Sequence, residues 1–257
     1  MTVVLLPRRI VRPLAWIGGI AVAGGACFLV DSGIAMNAEH QLAQEVKSVS
    51  QLDQTPRVYI GGTPYVGAAL TKEIPLLEVN AYDIEIPNLG LVSASTTLRD
   101  ITVEPSQIFS SEFENAEIST YSRAVSLDGV SLGGLLGIND LSIANPKNIS
   151  PSGGAQSAAE LTGTLPGADE RSSVIVSLRL MEGTFHMTPV EILETGGASE
   201  DDIRDTFTFE LETQRLPLSG QATAVRQRGG SVIFETQKRN VELRIAELSP
   251  VDIDNEY

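Results

Sequence analysis

Cysteine is almost missing from this sequence: Cys27 is the only one, and it lies inside an apolar run. No internal disulfide is available, so the fold must stand on core packing. Histidine is nearly as scarce, with His40 and His186 alone. Two histidines without a second thiol leave almost no ligands for a zinc site. A Ser-His-Asp hydrolase would have to use one of the two, and no nucleophile elbow is present. His186 sits in the alternating Gly183-Thr184-Phe185-His186-Met187, faces away from Phe185 and Met187, and reads as an exposed strand histidine. His40 falls on the polar face of a helix. The glycines of the stretch from Asp128 to Ile138 lack the Lys-Ser/Thr that completes a phosphate loop. That stretch reads as a short apolar helix closing one end of a sheet. Glu200, Asp201, Asp202 and Asp205 lack the alternating oxygen ligands and turn glycine of a calcium loop and mark a helix start.

Positive charge is also in short supply, with 18 Lys and Arg against 33 Asp and Glu. Arg8, Arg9 and Arg12 precede the apolar run and no acid does, so the remainder holds 15 basic and 33 acidic residues, a formal charge of −18. Nucleic-acid binding needs a basic footprint and is excluded. An anionic membrane surface would repel such a domain unless it were tethered or locally apolar.

What the sequence does have is Leu14 to Val30, an uncharged apolar run behind those three arginines. Its length is near that of a bilayer-spanning helix, and Ile34 and Ala35 extend it across Asp31-Ser32-Gly33. Arginines on the amino side favour a cytoplasmic N-terminus. The alternatives are a cleaved signal peptide with a Gly33-Ile34-Ala35 site, whose apolar core is usually shorter, and a lipoprotein site at Cys27, which has Gly24 in place of the usual Leu-like residue and an apolar run continuing through Phe28, Leu29 and Val30. The expectation is a cytoplasmic stub and anchor over 1–35, an extracytoplasmic (periplasmic) domain over 36–250, and a loose acidic tail over 251–257.

Within the domain, Leu42, Val46 and Val49 give helical spacing to Asn37–Leu52, with Ala35 and Ala38 extending the stripe. Strands follow. Leu77, Val79 and Ala81 alternate with polar residues, as do Ile84 and Ile86 after them. Asn88-Leu89-Gly90 is a turn, and Leu91–Val103 and Glu117–Leu127 are long strands separated by a helical turn from Pro105. Asn145–Ala159 reads as a loop, and Leu161–Leu165, Ser173–Met181 and Gly183–Pro189 as the middle sheet. Phe207, Phe209 and Leu211 alternate. A hairpin turns at Arg228-Gly229-Gly230, and Val241, Leu243 and Ile245 form a last strand.

Ala38-Glu39-His40-Gln41-Leu42-Ala43 leading to Pro56-Arg57-Val58-Tyr59-Ile60-Gly61-Gly62-Thr63-Pro64-Tyr65-Val66 resembles the actinobacterial LmeA-like phospholipid-binding proteins. That family usually reads Gly-x-Pro-Phe-Leu where this chain has Tyr65-Val66. Leu127-Asp128-Gly129-Val130, Leu135–Ile143 and Leu216-Pro217-Leu218 fit as well, over roughly residues 36 to 248. The resemblance carries no catalytic signature and no cofactor. It implies a periplasmic envelope protein that binds phospholipid at the cytoplasmic membrane and supports mannosylated lipoglycan assembly, with an envelope glycosyltransferase as partner. It also implies an α+β fold similar to the tubular lipid-binding proteins, a long twisted antiparallel sheet wrapping helices around an apolar groove.

A groove of that kind needs apolar lining and shape more than polar groups. The expected lining is Leu77, Val79, Ile84, Ile86, Leu135, Leu136, Val174, Val176, Leu178, Phe207 and Phe209. The competing reading is an envelope scaffold that offers strand edges to a membrane enzyme and holds no lipid.

Overall fold

The computed structural model describes residues 8–62, 64–110, 113–146 and 155–252, with the side chains of residues 8–22 and of Phe109 left aside. The chain begins with helix α1 (Arg8–Ser50), about 65 Å long at 1.5 Å per residue. It continues as β1 (Arg57–Gly61), a 3₁₀ turn (Tyr65–Gly67), α2 (Ala68–Thr71), β2 (Glu73–Ile86), β3 (Gly90–Thr102), α3 (Pro105–Ser110) and β4 (Glu117–Asp128). Then come α4 (Gly129–Leu136), β5 (Ser142–Ala144), β6 (Gln156–Thr164), β7 (Arg171–Met181), β8 (Thr184–Glu194), α5 (Glu200–Thr206) and β9 (Phe209–Glu212). The hairpin β10 (Ala224–Arg228) and β11 (Ser231–Glu242) and a 3₁₀ turn (Ile245–Leu248) complete the described chain.

The expected α+β organisation of antiparallel strands around a helix is found, but the strands divide between two sheets. One curls in the order β1-β2-β3-β4-β11-β10, and the other runs β5-β6-β7-β8-β9. Every pairing is antiparallel. The inner face of the six-stranded sheet is covered twice. At one end of its strands, Ala38, Leu42 and Val46 of α1 pack against Leu77, Val79, Leu98 and Tyr121. At the other end, Val125, Leu127 and Phe234 meet Leu161, Val174, Val176 and Phe185 of the five-stranded sheet. Phe185 and Phe234 stand edge to face with centroids 4.8 Å apart, a favourable arrangement for two ring quadrupoles.

Local choices explain the element boundaries. Buried positions on β2 are odd-numbered from Leu77 through Ala81 and even-numbered at Ile86. The register shifts between Ala81 and Ile84, where Asp83 has φ 55°. One extra residue in a strand reverses which side chains point inward. Asp128 caps α4 by accepting from Val130 and Ser131 N–H at 3.0 and 2.9 Å. Gly129 and Gly133 are packing glycines: a Cβ on either would fall within the van der Waals shell of a backbone carbonyl oxygen, Leu141 or Ile138.

Four sequence expectations are corrected. β6 begins at Gln156, so Ala158 and Ala159 belong to a strand and not to a loop. Phe207 is the C-cap of α5 and not a strand residue, although it is fully buried. Ile245 opens a 3₁₀ turn, and β11 ends at Glu242. His186 is half-buried and bonded through Nδ1 to Glu210 Oε1 at 2.9 Å, because β9 places Glu210 beside it.

Candidate functional site

Three features converge on the inner face of the curled sheet. The first is where α1 meets the domain. Asp31, buried on α1, accepts Tyr65 N–H at 2.9 Å and Val66 N–H at 2.8 Å. Its carboxylate supplies acceptors for donors at the start of the 3₁₀ turn, which the Pro64 side chain cannot cap. Glu39, one turn beyond Ala35 on α1, accepts Ile60 N–H at 2.9 Å and so satisfies a donor of the edge strand β1. Tyr65 is buried and donates its hydroxyl to Ile108 O at 3.1 Å. The Pro64-Tyr65-Val66 motif is therefore the seat of α1. Ile34 and Ala35 pack on the helix-side core, while Phe28, Leu29 and Val30 just before the seat are exposed.

Among the described residues no helix is long and apolar enough to cross a membrane. Most of the Leu14–Val30 run falls on residues whose side chains lie outside the description, and so does the tail at 253–257. Val251 is buried in the sheet-side core.

The second feature is a polar rung across the inner face. Val79 pairs with Thr96, Thr96 with Arg123, and Arg123 with Thr236. Thr96, Arg123 and Thr236 are all buried, and they separate the two apolar clusters. The last described residues lie over this rung. Thr96 Oγ1 donates to Ser249 O at 2.8 Å, Arg123 Nη2 to Glu247 O at 3.4 Å, and Asp252 N–H to Pro217 O at 3.2 Å. The Leu216-Pro217-Leu218 motif thus receives the strap formed by 245–252.

The third feature is a cavity of about 280 Å³ beside the rung, lined by Arg123, Ser219, Lys238, Arg244, Glu247 and Asp252. Arg123 Cζ and Lys238 Nζ lie 5.7 and 5.8 Å from the Tyr121 ring centroid. Burial pushes the Tyr121 hydroxyl up to about 12, with Arg123 acting in the opposite direction. A larger cavity of about 710 Å³ lies at the C-terminal end of α1, with Arg57, Asp53, Tyr82 and Asp83 in its wall. A third, of about 320 Å³, lies beneath the α1 seat between Tyr65, Ala68, Ile74 and Pro75.

The residues expected to line a groove do not form one continuous surface. Leu77 and Val79 are fully buried in the helix-side cluster. Ile86, Val174, Val176, Leu178 and Phe207 are buried in the sheet-side cluster, and Ile84, Leu135, Leu136 and Phe209 pack against it half-buried. Ile84 also borders the 710 Å³ cavity. Among the described residues no group of three His, Cys, Asp or Glu side chains is placed to hold a metal ion.

Arg123 and Asp31 escaped the sequence reading, though each left a signal. The inward parity of Tyr121, Val125 and Leu127 puts position 123 inside, and Asp31 is an acid at the end of an apolar run. No curated protein and no solved structure matches the chain. A family model described as LmeA-like phospholipid-binding matches residues 29–237, from the turn of α1 that carries Asp31 through Gln237 on β11, next to Lys238 of the rung-side cavity. The chain belongs to the LmeA-like phospholipid-binding family.

Proposed function

We propose that this protein is a membrane-tethered, extracytoplasmic carrier that holds or transfers phospholipid and supports assembly of cell-envelope lipoglycan, acting without chemistry on its ligand. The family membership supports the lipid. The observation that carries the tether is the unbroken α1: Asp31 pins it to the domain at the point where the apolar run ends, and Phe28, Leu29 and Val30 stand clear of the domain. Leu14–Val30 then spans the cytoplasmic membrane once, with the domain on the outer side. In this reading the fold is of the tubular lipid-binding kind. The acyl chains enter between the curled sheet and the elements that cover its inner face, against apolar residues expected to line the groove. Each Å² of acyl surface removed from water contributes about 25 cal/mol, so one chain is held without any charged group.

Native mass spectrometry of the detergent-extracted protein tests this reading. Co-purified phospholipid on a chain that retains residues 14–30 supports it. A lipid-free protein, or a mature chain starting near Met36, rejects the carrier or the tether respectively. His186→Ala and His40→Ala should leave binding of a fluorescent phospholipid nearly unchanged. Loss of a product-forming activity in either variant would instead make the protein an enzyme.

A further inference from the structure

The chain is acidic, yet three basic side chains, Arg123, Lys238 and Arg244, line one cavity. Arg244 is already engaged, with Nη2 2.6 Å from Glu247 Oε1. Arg123 is different. It is only 2% exposed, and its Nε has no hydrogen-bond partner among the described residues. Its Nη1 is 4.0 Å from Asp252 Oδ1, and its Nη2 reaches a carbonyl oxygen at 3.4 Å. Both contacts are long for a guanidinium, which carries five donors in a fixed plane. An interior charge without close acceptors is costly to the fold. Ser219 Oγ and Tyr121 Oη lie near one another at the same place, and neither has a partner in hydrogen-bond geometry among the described residues. Among the described residues, the guanidinium of Arg123 thus has more donors than close acceptors.

We propose that this cavity binds the phosphate group of a phospholipid, with Arg123, Lys238 and Ser219 as its donors. A phosphate oxyanion offers the paired acceptors that a guanidinium fork fits, and an ammonium adds a point charge to the same group. The position suits an amphiphile. Arg123 lies on the polar rung between two apolar clusters, and Tyr121, Leu243 and Leu248 continue from it as fully buried apolar surface. A headgroup at the rung therefore sits at the boundary of both apolar clusters. Both acids of the cavity, Glu247 and Asp252, come from the strap 245–252, and the phosphate takes over the place at Arg123 that Asp252 holds only at 4.0 Å.

This inference rests on the lipid-carrier reading, and the test separates the two. The full chain in detergent would be titrated calorimetrically with dihexanoyl phosphatidylglycerol, with dihexanoylglycerol, which lacks the phosphate, and with inorganic phosphate. The wild type should prefer the phospholipid over its phosphate-free counterpart by about tenfold or more, as a charge-assisted hydrogen bond implies. Lys238→Gln on the exposed rim and Ser219→Ala should remove most of that preference and leave dihexanoylglycerol binding unchanged. Arg123→Gln should abolish the preference, and Arg123→Lys should restore part of it, with melting curves confirming that each variant is folded. Equal binding of both lipids by wild type and variants overturns the phosphate site and leaves the carrier reading standing. Failure to bind either lipid overturns both. Inorganic phosphate bound in that case, and lost in Lys238→Gln, would make the cavity a site for free phosphate.

Discussion

Asp31 accepts the backbone N–H of Tyr65 at 2.9 Å across 34 residues of sequence, and this bond sets where the first helix joins the domain. The same carboxylate accepts Val66 N–H from its second oxygen. Removing it leaves two donors at a largely buried turn without an acceptor. Asp31→Ala should therefore lower domain stability by about 2–4 kcal/mol. Ser32→Ala, one position along the same helix, should change it by under about 0.5 kcal/mol. Urea titration of both variants checks this; equal stability would mean that the seat contributes nothing.

The two glycines of α4 with opposite surroundings should respond with opposite sign. Gly129→Ala drives a methyl into the Leu141 carbonyl oxygen, whereas Gly134 has nothing within 4 Å of its Cβ position. Gly134→Ala should stabilise by about 0.5–1 kcal/mol through helix propensity. Gly129→Ala should destabilise by more than that. Thermal melts of the pair decide it, and two shifts of the same sign would contradict the packing described for α4.

Val176 is fully buried in the sheet-side core, opposite Ala159 and Pro189 on its neighbouring strands. Val176→Asp would bury a carboxylate without a partner, and the domain should unfold or lose its cooperative transition. Ile175→Asp, on the half-exposed opposite face of β7, should be tolerated much better. A stable Val176→Asp variant would show that β7 faces the other way.

Asp140 should make stability depend on pH at the acid end. Its carboxyl is held below the usual range, first by the Thr164 backbone N–H at 2.7 Å, then by the Thr164 hydroxyl and Arg171. A depressed folded-state value means that the contribution is present in full at neutral pH and fades as pH falls through the carboxylate range. Denaturant titrations should show Asp140→Asn less stable than wild type at pH 7, with the gap closing on acidification. A gap that stays constant to low pH would rule out this linkage.

Much of the strand order was legible because period-2 alternation is strong where a sheet buries one face. β3, β4 and β7 begin and end within two residues of their expected bounds, and the helical spacing of Leu42 and Val46 located the packed stripe of α1. Alternation fails where a boundary depends on a distant partner. β6 is rich in Ala, Ser, Thr and Gly and carries little apolar signal of its own; pairing with β7 makes it a strand. Phe207 has the parity of a strand residue, but the Ser199 cap starts a helix that ends on it.

The chemistry of the chain, by contrast, divides between local and tertiary causes. Composition alone removed disulfides, zinc chemistry and nucleic acid from consideration, because those need residue types that are scarce here. The run of apolar residues behind three arginines, and the motifs shared with the phospholipid-binding family, are also local and could be read directly. Which end of the curled sheet's inner face is covered by α1 and which by the second sheet was decided only in three dimensions. So was the placing of Arg123 between them, under a strap more than a hundred residues away along the chain. A single arginine in a Ser- and Thr-rich strand looks solvated in sequence. It becomes a buried, undersatisfied donor only when register aligns it with Thr96 and Thr236 and the strap shuts out water.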